Sequence, residues 1–168
     1  MQRLFWILVI LNVLLIAAAG FWLPEKIATH FDITGQPNGW MRKIEYITFM
    51  GINTLLAVMF CVPLGFLIKV CPPAFINIPN KDYWIQDGNI AQLRAVLSRM
   101  WRETECIIMA VPIWLSIEIV YANSKAVPSM GNEIWVFLGL LVIALTAVLI
   151  KLLSALRVPK EIMIHCDN

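Results

Sequence analysis

The sequence predicts an all-α fold, an integral membrane four-helix bundle with an amphipathic helix lying at the cytoplasmic interface. Three observations predict it. Of 168 residues, 60% are hydrophobic and only 14% charged, well outside the balance of ordinary soluble domains. Four apolar runs, at residues 4–23, 46–70, 106–122 and 134–156, are each about long enough to cross a hydrocarbon core of roughly 30 Å as a helix. The charges gather between these runs. In lipid a backbone must satisfy its own hydrogen bonds, so runs of this kind become helices. One four-span unit over 1–168 is the expected domain organisation.

Charge distribution sets the expected sidedness. Four spans put the two chain ends and the middle connection on one side. That side carries nine Lys and Arg residues: Arg3, Lys69, Lys81, Arg94, Arg99, Arg102, Lys151, Arg157 and Lys160. The other carries four: Lys26, Arg42, Lys43 and Lys125. The excess of basic residues predicts cytoplasmic termini in an inner (cytoplasmic) membrane. A net charge of +2 is too small to suggest nucleic acid as a partner. The bilayer itself is the partner that composition implies.

Taken in order, the first span carries one polar residue, Asn12. Arg3, the apolar stretch and Ala17-Ala18-Ala19 imitate a signal peptide. The run nevertheless continues through Phe21 and Trp22 to Pro24, longer than a signal core and ending on an interfacial tryptophan, so a retained span is expected. The connection 24–45 is the longer external loop. Its Gln36-Pro37-Asn38-Gly39 has strong turn chemistry, because proline presets φ while asparagine and glycine accept positive φ. Ile27, Phe31 and Ile33 are expected to dip towards the membrane, making the loop a lid over the bundle mouth.

The second span contains Asn53 and Pro63; proline removes a backbone donor, frees the Met59 carbonyl and predicts a kink. Cys71-Pro72-Pro73 stops this helix. Residues 89–105 then follow a helical period. Ile90, Leu93, Val96, Leu97, Met100 and Trp101 share an arc of about 140°, with Arg94, Ser98, Arg99 and Arg102 opposite. Arginines and a tryptophan so arranged suit an anionic leaflet surface, predicting an interfacial helix that feeds the third span. That span carries Pro112 and Glu118. A compact turn over 123–133 leads to the last and most apolar span, anchored by Lys151, Arg157 and Lys160.

The chemistry-bearing residues are few. Cys61, Cys71, Cys106 and Cys166 lack the spacing of a zinc site and read as inert thiols. Glu118 reads as the one carboxylate well inside a span, where ionised groups cost several kcal/mol and face a bundle interior or a wet cavity. Asn53 lies at similar depth and is its expected partner; Asn12 lies nearer the other face. His30 and Asp32, two apart on an extended segment, point the same way. Two ligands do not make a metal site, so their expected role is capping loop backbone groups. With no phosphate loop, nucleophile–base pair or metalloprotease signature, no cofactor, metal or catalytic residue is assigned.

Two motifs carry a resemblance. Leu23-Pro24, His30-Phe31-Asp32, Gly35, Gly39 and Lys43, followed by Pro79-Asn80-Lys81-Asp82-Tyr83-Trp84, resemble a family of bacterial membrane domains of unknown function. That domain also forms the N-terminal part of SdpI-type immunity and signal-transduction proteins. The likeness covers about the first half of the chain; Gln86-Asp87-Gly88 stands where the family carries charged residues. The resemblance implies a non-enzymatic protein that senses or sequesters an extracellular peptide or a membrane-protein partner. His30, Asp32, Gly35 and Trp40 would then form the external ligand loop, with Pro79, Asn80, Tyr83 and Trp84 anchoring the cytoplasmic face. The alternative is a small proton-coupled transporter or membrane enzyme that uses Glu118.

Overall fold

The computed structural model describes residues 2–86 and 88–158; Asp87, Lys160 and Cys166 of the sequence lie outside them. Among the described residues four helices are long and apolar enough to span a membrane: α1 (Gln2–Trp22), α2 (Lys43–Val70), α4 (Ile90–Asn123) and α5 (Glu133–Ala155). They run up and down, with the α1–α2 and α4–α5 connections at one end and the segment 71–89 at the other. This is a multi-pass membrane protein with an all-α helical bundle.

Two expectations need correction. The amphipathic segment 89–105 and the third span are one unbroken helix, α4, of 34 residues. At 1.5 Å per residue it is about 51 Å long, well beyond a hydrocarbon core. The apolar stripe predicted to lie on lipid packs on protein instead: Leu93 is fully buried, Met100 nearly so, and Trp101 packs against the α1–α2 core. The second correction concerns the connection 24–45, which is a β-hairpin, β1 (Lys26–Phe31) and β2 (Pro37–Arg42). The strands pair antiparallel, Lys26 with Arg42 and Ala28 with Trp40, with irregular register around His30.

The reversal sits earlier than the Pro-Asn-Gly signal suggests. Pro37, Asn38 and Gly39 belong to β2, and the chain turns over Asp32–Gly35. The Gly35 N–H donates to the Asp32 carbonyl (2.9 Å) and the Asp32 N–H to the Gln36 carbonyl (2.8 Å). Gly35 takes the left-handed conformation, φ +79°, which favours glycine and is frequent at the end of short hairpin loops. Pro37 is tolerated because a two-stranded ribbon has only edges.

Helix α4 is the hub, touching α1, α2 and α5. At the hairpin end Ile16, Ala19 and Leu23 of α1, Ile27, Tyr46, Met50 and Ile119 form one cluster. Phe5, Cys61 and Met109 form a second towards the other end, and Trp84, Leu93 and Leu156 a third beyond it. Helix α5 has no buried residue and rests on α4, where Trp114 stacks on Phe137 at 4.8 Å. Lipid tails are as apolar as leucine, so close packing and polar contacts between helices carry the association. Helix α2 stays helical through Pro63 and ends at Val70, before the two prolines. Arg94 donates to the carbonyl of Lys69, in the last turn of α2, and to that of Cys71, just past its end.

Candidate functional site

At the hairpin end the sequence dictates a rigid platform. Ile27 and Ala28 are fully buried, which turns β1 into the roof of the α1–α2–α4 core. Ile27 therefore packs on protein, whereas Ile33, also expected to dip to the membrane, is 85% exposed at the hairpin tip. Two contacts dock the hairpin. The Asn123 side chain, at the end of α4, accepts from the Ala28 N–H and donates to the Ala28 carbonyl, both at 2.9 Å. The Met130 N–H donates to the Gly35 carbonyl at 3.0 Å. A Cβ on Gly35 would run into the Met130 carbonyl, so this position needs glycine for space as well as for φ.

Of the predicted loop residues, Asp32 and Gly35 build the turn, and His30 and Trp40 face outward. The Asp32 carboxylate accepts from the Thr34 hydroxyl (2.6 Å), the Thr34 N–H (2.8 Å) and the Gln36 N–H (3.0 Å). These donors, the Thr34 hydroxyl foremost, hold its pKa below the ordinary 3.8, because they favour the charged form. The capping role expected of Asp32 is thus what it performs, while His30 bonds the Thr29 hydroxyl at 3.1 Å. Gly39 lies under His30, where a Cβ would come within 2.8 Å of the His30 Cβ. Lys26 sits 5.3 Å over the exposed Trp40 ring. Lys43 donates to the Leu23 carbonyl (3.2 Å) and pairs with Glu25 (2.8 Å), tying α2 to the end of α1. Between the hairpin tip and the α4–α5 turn lies a cleft of about 320 Å³ that includes Phe31, Asp32, Met130, Ile134 and Trp135. Among the described residues no group of three or more His, Cys, Asp or Glu side chains could hold a metal.

The intramembrane polar residues pair differently from expectation. Asn53 is exposed and donates to the Phe49 carbonyl of its own helix (2.8 Å), so it does not meet Glu118. Asn12, nearer the other face, is fully buried and donates to the Thr54 hydroxyl at 2.7 Å, and that hydroxyl donates to the Met50 carbonyl at 2.8 Å. Depth was legible in the sequence, but rotation was not: one residue along a helix is a turn of about 100°. Glu118 is 5% exposed on α4, with the buried Ser116 two residues before it.

At the opposite end the second motif forms a clamp. Asn80 adopts the left-handed conformation (φ +56°) and starts the short helix α3 (Lys81–Trp84). Its side chain and the Trp84 indole both donate to the Leu156 carbonyl, at 3.1 Å each. That carbonyl lies just past α5, where the last backbone acceptors of a helix lack partners. Tyr83 meets the Trp84 ring edge-on at 5.1 Å, and Asn89 caps the Tyr83 carbonyl. Pro79 is exposed ahead of the turn.

Sequence reasoning missed Glu105. It is only 7% exposed and lines a cavity of about 240 Å³ with Lys69 and Arg102 among α1, α2 and α4. It falls within 89–105, the segment expected at the interface, where a carboxylate calls for no explanation. The helical period carries no signal for it: at about 100° per residue Glu105 falls between Arg94 and Ser98, off the arc that Leu93 and Met100 share.

A family model described as a domain of unknown function (DUF1648) matches residues 7–54. That stretch runs from α1 through the hairpin to Thr54, the residue that bonds Asn12. No curated protein and no solved structure matches the chain. The part that the family model describes is thus the α1–hairpin–α2 unit that carries His30, Asp32, Gly35 and Trp40, and over those residues this chain is similar to a domain of unknown function.

Proposed function

We propose that this chain is a non-enzymatic binding protein of the inner membrane, with the hairpin outside and both termini in the cytoplasm. It captures an extracellular peptide or a membrane-protein partner, in the sensing or immunity manner that the resemblance to SdpI-type proteins suggests. The observation that carries this reading is the docked hairpin. A two-point attachment, Asn123 on Ala28 and Met130 on Gly35, holds the loop as a fixed platform, and fixed binding surfaces lose less entropy on capture. The adjoining cleft offers apolar walls with one carboxylate, Asp32, which suits a peptide bearing an apolar and a basic side chain. The excess of Lys and Arg at the other end supports this orientation.

The test is protection of bacteria expressing the full chain against membrane-active peptides secreted by other bacteria. His30→Ala and Trp135→Ala should abolish protection at unchanged membrane abundance. Protection that survives both substitutions, or none from the wild-type chain, refutes the reading.

A second reading draws on Glu118, a carboxylate buried within α4, as the proton-handling group of a small transporter or membrane enzyme. It predicts that Glu118→Gln removes function while His30→Ala is mild.

A further inference from the structure

The cavity around Glu105 lies at headgroup depth. Lys69 is one residue from the end of α2 and Gln2 is the first residue of α1, and both line the cavity with Ser98, Arg102 and Trp6. Glu105 is about 27 Å from the far end of α4 by helical rise, which puts it near the edge of a roughly 30 Å hydrocarbon core. Its neighbours Arg102 and Lys69 are near enough to act on its charge. Two cations against one carboxylate leave the cavity net positive by one, the complement of a phosphodiester.

Trp6 has a second role. The same indole ends an apolar groove of about 320 Å³ between α1 and α2, lined by Val9, Val13, Ile16, Leu55 and Val58. Gly51 lines this groove too, and a Cβ there would meet nothing within 4 Å. A basic, partly polar cavity at the interface thus shares Trp6 with an apolar trough of membrane depth. We infer that the Lys69–Arg102–Glu105 cavity and the groove that Trp6 joins to it hold one anionic phospholipid of the adjoining leaflet. The phosphodiester sits against Lys69 and Arg102. Glu105 keeps those two cations spread at the mouth and accepts from a headgroup hydroxyl. One acyl chain lies along the groove past Trp6.

The test is native mass spectrometry of the full chain released from detergent containing either phosphatidylglycerol or phosphatidylcholine. One retained phosphatidylglycerol is expected, and each of Lys69→Ala and Arg102→Ala should weaken its retention about fivefold, as removal of one cation at a lipid surface does. Glu105→Gln should strengthen retention, whereas a purely internal ion pair predicts only a lower melting temperature. Gly51→Leu fills the groove at a site open enough to fold, and should reduce lipid retention while leaving the charges in place. Equal retention of both lipids, displacement by millimolar inorganic phosphate, or retention untouched by Lys69→Ala and Gly51→Leu in folded protein would overturn the assignment.

Discussion

Asn123 grips Ala28 from both sides: its amide oxygen takes the Ala28 N–H and its amide nitrogen gives to the Ala28 carbonyl, each at 2.9 Å. A side chain at the end of α4 thereby completes the hydrogen bonding of a strand residue 95 positions earlier in the chain. The Ala28 backbone is buried under the hairpin and has no access to water in exchange.

Asn123→Ala should therefore cost about 2–4 kcal/mol, since it removes three bonds, one of them to the Ile119 carbonyl of its own helix, and strands the two buried Ala28 backbone groups. Thermal unfolding in detergent reads the loss. Asn123→Asp keeps the acceptor but replaces the donor, and should fall between the two. An alanine variant as stable as the parent would mean that the hairpin docks by other means.

Acid should loosen the hairpin turn through Asp32. Its folded-state pKa lies below 3.8 because the charged form accepts three hydrogen bonds. A depressed carboxylate pKa stabilises the fold fully above the unfolded value, and that contribution fades as pH drops through the folded value. The turn should thus be constant above pH 5 and open only below about 4. Amide exchange at Thr34 and Gln36 checks this. Asp32→Asn should remove the pH dependence and leave faster exchange at neutral pH.

The clamp on α5 rests on two donors to one carbonyl. Trp84→Phe keeps an aromatic ring but removes the indole N–H donor, and should cost about 1 kcal/mol or more. Asn80→Ala loses its bond and also loses the tolerance of asparagine for left-handed backbone, adding about 1 kcal/mol. Asn80→Gly restores the backbone freedom and should recover most of that second part. The three variants ranked by melting temperature give the order, with Asn80→Ala lowest.

Within the membrane, Asn12 and Thr54 join α1 to α2 through a buried bond of 2.7 Å. Bonds of this kind contribute only about 0.6 kcal/mol on average, because separated helices find other polar partners in lipid. Thr54→Val should therefore be mild in a melt. Asn12→Leu should be mild as well, since it also removes the Asn12 oxygen that is buried without a partner. A loss of 2 kcal/mol or more from either would show that this contact is the main link between the helices.

The sequence by itself determined the solvent, the number of spans and most of their ends. Long apolar runs such as 134–156 leave a chain one low-energy solution, a helix in lipid. Stop signals are equally local: α2 ends at Val70 because two prolines follow within three residues. The sequence also singled out the residues that hold the connections. Asp32, Gly35, Lys43, Asn80 and Trp84 stood in the quoted motifs, and each bonds or shapes a turn.

Tertiary structure alone decided which of those residues meet. Whether Asn12 finds Asn53, Glu118 or Thr54 depends on the rotation of three helices about their axes, and a shift of one position changes the answer by about 100°. Whether 89–105 lies on lipid or runs straight into the third span depends on which surface takes its apolar stripe, and Leu156 and Cys61, from distant parts of the chain, supply that surface together with the nearby Trp84. The hairpin belongs to the same class. Weak strand formers such as Pro37, Asn38 and Gly39 become a strand only because β1 is already fixed by Asn123 and the core beneath it. Solvent and local chemistry write the elements into the sequence, whereas partners far along the chain are chosen by packing.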